Sequence, residues 1–431
     1  MSRSEKNLDN EKVIFPYGER EIEVELPKRN LIRVVKAKDP KGIEDEENEV
    51  IKTLQNPSKA RPISQIAKPH NKVVILISDI TRPVPSHKIL PPIHEELAKA
   101  SVTAEDITII VATGLHRRNT RSELRSFLGD KILEGYKVVN HNALDNRALN
   151  YIGETSKGTP LYVNKIVSDA DIRIATGYIE PHEFAGFTGG RKSILPGVSG
   201  LETINRNHSL EMLSHPKARI GILDGNPIHE EMVEAAKMVG VDFIVNVVLN
   251  SKKKIAKVVS GDLEVAHLEG VKFLDEYSGI NIGQKSDVVI TSSGYPLDIN
   301  LYQSVKSVLT AEPFVKDGGT IILLAECREG FGSPLFAEYI NASSSSDDLM
   351  ERVRVEYRAD IDHCFLLSRI LKKFEIIIVS SNASIKKVKK TLMGTEKSVS
   401  EALNVAFKKS GREATIIALP YAQRIIPKYY L

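Results

Sequence analysis

The sequence predicts an α/β protein of two doubly wound units with an active-site cleft between them. Three observations predict it: short runs of continuous apolar residues, amphipathic stretches between those runs, and a chain of 431 residues. Such a chain is too long for one ordinary core. Continuous apolar strands are what a parallel sheet covered on both faces requires, because neither strand face meets water. The change from one set of elements to the next falls near residue 275, giving an N-terminal domain of residues 1–275 and a C-terminal domain of residues 276–431.

After a polar start, Ile22 to Pro27 (IEVELP) alternates apolar and charged residues as a half-exposed strand does. Lys36 to Lys68 is polar and reads as helix and linker. Val73 to Ile77 (VVILI) reads as a buried strand, with Ile89 to Ala100 as its helix. Ile107 to Ala112 (ITIIVA) is the next strand, Arg121 to Leu128 the next helix, and Ile172 to Ala175 (IRIA) a further strand. The second set begins near Gly283 with a strand at Asp287 to Thr291, a helix around Leu301 to Leu309 and a strand at Thr320 to Leu324. It closes with a strand at Glu375 to Val379, helices through Lys386 to Thr391 and Ser400 to Lys409, and a strand at Ala414 to Ala418. Ser343 to Asp348 (SSSSDD) reads as a solvated loop. No internal repeat is visible.

Composition excludes several classes. An apolar fraction of 42% and a charged fraction of 27% are those of a globular protein. A net charge of +3 supplies no broad electrostatic footprint for nucleic acid. No apolar run approaches the roughly 20 residues that span a bilayer, and the polar N-terminus lacks a signal-peptide core. Cys327 and Cys364 are the only cysteines, which argues against a disulfide framework and a thiolate metal site. The expected location is the cytoplasm and the expected partner a small molecule, with the oligomeric state open.

The chemistry-bearing motifs follow predicted strands, where open α/β sheets collect ligands. Asp79 to Pro83 (DITRP) places a carboxylate and the guanidinium of Arg82 three residues apart, able to grip a hydroxylated anion or to form a plain loop ion pair. In Thr113 to Arg117 (TGLHR), His116 is either a general base or a capping histidine. The densest stretch is Gly177 to Gly200 (GYIEPHEFAGFTGGRKSILPGVSG). Its turn Thr188-Gly189-Gly190, followed by Arg191 and Lys192, suits a phosphate, since glycines allow close backbone approach and free N–H groups attract anions. The spacing is not that of a P-loop. His182 within the stretch is a candidate for catalysis; Phe184 and Phe187 read as core. His208 (NRNHS) lies on or beside a helix opened near Glu202 and reads as a ligand or a surface histidine. Eight of the 11 histidines (70, 87, 94, 141, 215, 229, 267 and 363) fall outside these motifs. No HxxxH pair occurs, which disfavours a metal held by protein groups alone. In Asp298 to Lys306 (DINLYQSVK), Gln303 and Lys306 share a helix face beside Tyr302 and are either carboxylate ligands or surface.

Taken in order, DITRP, TGLHR, EPHEFAGFTGGRKSILPG, NRNHS and DINLYQSVK resemble the nickel-pincer-nucleotide lactate racemase family, over most of the chain. The resemblance implies a racemase or epimerase of 2-hydroxy acids, an isomerase. Its cofactor is a pyridinium mononucleotide whose two sulfur-containing arms and ring carbon hold Ni(II). It implies that Lys192 tethers the cofactor and His208 is the fourth nickel ligand, completing the square-planar set that suits Ni(II). His116 and His182 would be the acid–base pair serving hydride transfer. Arg82, Tyr302, Gln303 and Lys306 would hold the substrate carboxylate. Asp79, Thr188, Gly189, Gly190 and Arg191 would bind the cofactor's sugar or phosphate. The N-terminal domain would then bind cofactor and catalyse, and the C-terminal domain would close over the substrate. One departure concerns substrate: lactate-using members carry a tryptophan near it, and this chain has none. The segment Asp360 to Phe365 is the candidate for that position, and malate, a sugar acid or a longer 2-hydroxy acid stands beside lactate. Two alternatives remain from the motifs alone: a nucleotide- or sugar-phosphate-binding protein without catalysis, and a lyase or dehydratase on the same scaffold.

Overall fold

The computed structural model describes residues 9–388 and 392–429. The chain forms two compact units. One is Lys38–Tyr277; the other joins the described residues up to Ala37 with those from Ser278 onward. This differs from a division into 1–275 and 276–431 at the N-terminus, and the cause is pairing far along the chain. Leu31–Val34 adds in parallel to Ile416–Leu419. The antiparallel hairpin of Asn10–Tyr17 and Arg20–Pro27 buries Val13, Phe15, Val24 and Leu26 in the same core as Val288, Ile322 and Ile377.

The unit Lys38–Tyr277 is built on a six-stranded sheet. Its order is Ile255–Gly261, Phe243–Leu249, Ile172–Tyr178, Val73–Ile77, Ile107–Val111, Lys137–Asn140. All neighbours are parallel except the first pair. Val73–Ile77 sits centrally and all five of its residues are buried, as its unbroken apolar run requires. The helix Ser86–Ala98 turns Ile89, Leu90, Ile93 and Leu97 inward at the three- and four-residue spacing of one helical face. Arg121–Leu128 starts at a capping box, with Thr120 and Glu123 each satisfying the other's backbone N–H. The polar stretch after Lys36 contains the helix Glu46–Gln55, capped by Asp45. Helix Pro227–Val239 and the two strands that follow it extend the sheet beyond what the strand runs predicted.

Register fixes where the site forms. Ile77 lies opposite Val111, and Leu76 opposite Ala175. Three neighbouring strands therefore end at one edge, and the strand order reverses between Ile172–Tyr178 and Val73–Ile77, the switch point at which such sheets bind ligands. The loops carrying Asp79, His116 and the 179–192 segment all leave that edge.

The other unit has a six-stranded, wholly parallel sheet in the order Gly394–Glu396, Glu375–Val379, Val315–Leu324, Ser286–Ser292, Ile416–Leu419, Leu31–Val34. Two expectations change here. The SSSSDD run is not a solvated loop throughout: Ser343 is buried, donating to the Tyr339 carbonyl, and Ser345 caps the helix Ser346–Val355. Serine and aspartate serve there as helix-start chemistry, which composition alone reads as loop. Of the expected helix through Lys386 to Thr391, Ile385–Lys387 is a short 3-10 turn, and residues 389–391 lie outside the described residues.

Candidate active site

Asp79 sits two residues past Val73–Ile77 and His116 five past Ile107–Val111, and the parallel register brings the two loops together. Asp79 is 5% exposed. Its Oδ2 is 2.6 Å from His116 Nδ1, while its Oδ1 accepts from the Thr81 backbone N–H at 2.9 Å and the Thr81 hydroxyl at 2.5 Å. Burial works to raise its pKa, but His116, Arg82 and Thr81 outweigh burial and hold the carboxyl at about 2. The His116 loop is pinned by the Gly114 N–H donating to the Gly197 carbonyl at 2.9 Å. Arg82, half-buried, remains a firm cation: burial opposes its charge, but Tyr178, Glu180, Asp79 and Glu183 raise its pKa.

Past Tyr178 the chain makes a two-residue hairpin, Pro181–His182 against Gly186–Phe187, and then turns. The Thr188 hydroxyl donates to the Tyr178 carbonyl at 2.8 Å and accepts from the Glu180 N–H at 2.9 Å. Gly189 has φ of +87°, and a Cβ there would lie 2.6 Å from Asn246 Oδ1, so only glycine fits. That same oxygen accepts from the Gly190 N–H at 2.7 Å. The turn thus depends on Asn246 in Phe243–Leu249, a residue the motif reading did not single out; a polar residue inside an apolar strand run (FIVNVVL) was the available signal.

Arg191 lies beneath this turn and is 1% exposed. Its five N–H donors have five acceptors within the protein. Nε donates to His229 Nδ1 at 3.0 Å. Nη1 donates to the Thr188 and Gly189 carbonyls at 3.2 and 3.1 Å, and Nη2 to those of Ala185 and Phe187 at 3.0 and 2.7 Å. His267 Nε2 closes the remaining side, 2.9 Å from Nη1 and 2.8 Å from the Thr188 carbonyl. No carboxylate balances the charge in these contacts, and burial pulls the guanidinium pKa down to about 9. Burial and Arg191 together hold His229 at about 3, hence neutral and able to accept. Arg191, expected to reach a cofactor, is in this structure the strut of the turn: its donors face inward.

Three predicted residues gather around Phe184. His182 meets its ring edge-on at 4.6 Å between centroids and His208 at 5.0 Å, and Lys192 Nζ stands 5.8 Å from its centroid. Lys192 belongs to the 3-10 helix Gly190–Ser193, and His208 caps the C-terminus of Leu201–Asn207. Burial, then the Lys192 charge, press the His208 pKa down to about 3, so its imidazole is neutral. His182 Nδ1 has both the Ala185 N–H at 3.4 Å and Glu183 Oε2 at 3.5 Å beside it, an unequal counterpart to the short contact of His116. Phe184 and Phe187 are buried, as expected of core.

In the other unit, Asn300 caps Leu301–Ala311. Gln303 and Lys306 are both half-buried on it. Tyr302 donates its phenol proton to Asp362 Oδ1 at 3.0 Å, and its ring lies 4.2 Å from that of His363. The Asp360 to Phe365 segment therefore does meet Tyr302, through Asp362 and His363.

Among the described residues no group of three or more His, Cys, Asp or Glu could hold a metal, and no helix is long and apolar enough to cross a membrane. Residues 17–221 match the lactate racemase N-terminal domain family and residues 282–426 the lactate racemase C-terminal domain family. A lactate racemase of Thermoanaerobacterium thermosaccharolyticum is 37% identical over 419 residues, covering 96% of this chain and 98% of that one. A lactate racemase of Lactiplantibacillus plantarum is 36% identical over 420 residues, covering 96% and 99%. The solved lactate racemase apoprotein of T. thermosaccharolyticum superimposes with a TM-score of 0.91 at 36% identity, over 97% of this chain and 100% of that one. A Thermotoga maritima protein shares the fold at 17% identity, with a TM-score of 0.67 over 91% and 100%.

Proposed function

Because the chain belongs to the lactate racemase family, we propose that it inverts the α-carbon of a 2-hydroxy acid, with Lys192 carrying and His208 ligating a nickel pincer nucleotide. That group, when bound, supplies the acceptor that takes the α-hydrogen as hydride and gives it back. The residues present fit it. His208 is a buried, neutral imidazole, the form that binds metal. No group of three or more His, Cys, Asp or Glu among the described residues could hold a metal, which is compatible with a metal whose other donors the family's cofactor would bring. The turn at Gly189 has no room for a side chain, because Asn246 Oδ1, Ile179 and the Tyr178 carbonyl fill that position, and this tight turn leads directly into Lys192.

The chain's own residues do the rest. His116 and His182 move the hydroxyl proton: one ring nitrogen takes it as the α-carbon flattens, and the other ring returns a proton on the opposite face. Two bases are required because the hydroxyls of two enantiomers, held by one carboxylate, point to different sides. Arg82, always cationic, is suited to a carboxylate; for Gln303 and Lys306 the family resemblance supports a role in binding substrate. Tyr302 orients against Asp362. Phe184, buried, packs edge-on against both His182 and His208. Arg191 holds the turn from which Lys192 emerges.

The observation that carries this reading is the gathering of His182, Lys192 and His208 on Phe184. Protein purified with the cofactor should contain nickel and show a mass increment on the Lys192 peptide. Full racemisation by a Lys192→Ala variant would refute it. A panel of enantiopure 2-hydroxy acids, from lactate to malate and sugar acids, identifies the substrate within the class.

A further inference from the structure

The resemblance assigns Asp79 to the cofactor; in the structure its carboxylate also meets His116. We propose that Asp79 is a positioning residue for His116: its carboxylate accepts the Nδ1 proton and so fixes Nε2 as the nitrogen that exchanges protons with substrate. The proposal rests on the reading of His116 as an acid–base group.

The geometry leaves the pair little freedom. Oδ2 is 2.6 Å from Nδ1, within the range of a charge-assisted hydrogen bond. Oδ1 is taken by both donors of Thr81, which stops the carboxylate from rotating. An ionised carboxylate has no proton to give, so the proton in the short contact belongs to the imidazole. Neutral imidazole carries one proton; with Nδ1 protonated, Nε2 holds the lone pair. The His116 side chain is 49% exposed while Asp79 is buried, so the ring is anchored on its protein side and open on the other. Arg82 and Arg117 add positive charge near Asp79, and the Tyr178 phenol also interacts with it.

Thr81 makes the substitution Asp79→Asn diagnostic. An asparagine has one oxygen, and Thr81 presents two donors to it. The amide nitrogen then faces His116 Nδ1 and donates, moving the ring proton to Nε2 and removing the lone pair from the substrate side. A wrong tautomer at a catalytic histidine costs on the order of 10²- to 10⁴-fold in kcat.

The test combines a spectrum and a rate. With 15N-histidine in unloaded protein at about pH 8, where free histidine is neutral, the His116 signals are identified by their loss in His116→Gln. Wild-type His116 should be protonated at Nδ1, and Asp79→Asn should show the proton at Nε2. In cofactor-loaded protein, Asp79→Asn should lose kcat by at least about 10²-fold, with an altered pH profile, and Asp79→Glu should recover part of the rate. Wild-type His116 protonated at Nε2, or an unchanged tautomer in Asp79→Asn alongside an inactive His116→Gln, overturns the pairing alone. Full activity in His116→Gln overturns the acid–base role of His116, and the link to catalysis with it.

Discussion

Replacing Arg191 with methionine tests how the glycine turn is held. Methionine keeps a flexible apolar stem but removes five N–H donors. Three of the five acceptors keep another donor: the Gly189 carbonyl has the Lys192 N–H at 3.2 Å, the Ala185 carbonyl the Phe187 N–H at 3.0 Å, and the Thr188 carbonyl has His267. The Phe187 carbonyl and His229 Nδ1 lose the donor that Arg191 supplies. The buried Phe187 carbonyl stripped of a partner costs about 1–3 kcal/mol, and the half-buried His229 Nδ1 costs less. Loss of the remaining charge-assisted bonds adds to this, and removal of a buried cation without a carboxylate returns several kcal/mol. The acceptors outnumber the single charge, so we expect a net destabilisation of about 3–5 kcal/mol. For a unit of this size that is roughly 6–20 °C in melting temperature. Urea unfolding with calorimetry measures it, and mass analysis of the Lys192 peptide reports whether the turn still presents the amine. Arg191→Lys, which keeps charge with fewer donors, should fall between. A methionine variant within about 1 kcal/mol of wild type, with normal loading at Lys192, would refute the strut.

Three further outcomes are expected. Gly189→Ala meets Asn246 Oδ1 and an unfavourable positive φ, so unfolding should show a loss of at least about 1–2 kcal/mol, with reduced cofactor stoichiometry. Asp79 has its pKa lowered from 3.8 to about 2 in the folded protein. Its stabilising contribution is full above about pH 4 and is lost as pH falls through 2, on the order of 2 kcal/mol in all; acid titrations of wild type and Asp79→Asn should diverge in that window. Tyr302→Phe removes the phenol donor from Asp362 and should cost about 1–2 kcal/mol in unfolding, with a larger effect on KM than on kcat if Tyr302 serves binding.

Legibility followed the range of the interactions. VVILI and ITIIVA were readable as strands because burial on both faces leaves a continuous apolar run. The site segments were readable because strand ends collect them. Phe243–Leu249 escaped through Asn246, the residue that holds Gly190, so one polar side chain hid a strand and marked a site. The type of Arg191 was visible but its direction was not: guanidinium beside a glycine turn suits a phosphate and a ring of carbonyls equally. The contact between Asp79 and His116 spans 37 positions and arises from the register of two parallel strands, which local pattern does not encode. The pairing of Leu31–Val34 with Ile416–Leu419 spans most of the chain and is invisible for the same reason.

That last pairing has a consequence for biosynthesis. A ribosome releases Leu31–Val34 long before its neighbour Ile416–Leu419, so this edge of the sheet waits until that distant strand has emerged. The intervening piece does not wait: its two ends are stitched by the Lys38 N–H on the Tyr277 carbonyl at 2.8 Å, and it can complete its own core first. The nascent N-terminal hairpin, with Phe15 and Leu26 awaiting their cover, is the stretch that a chaperone would shield.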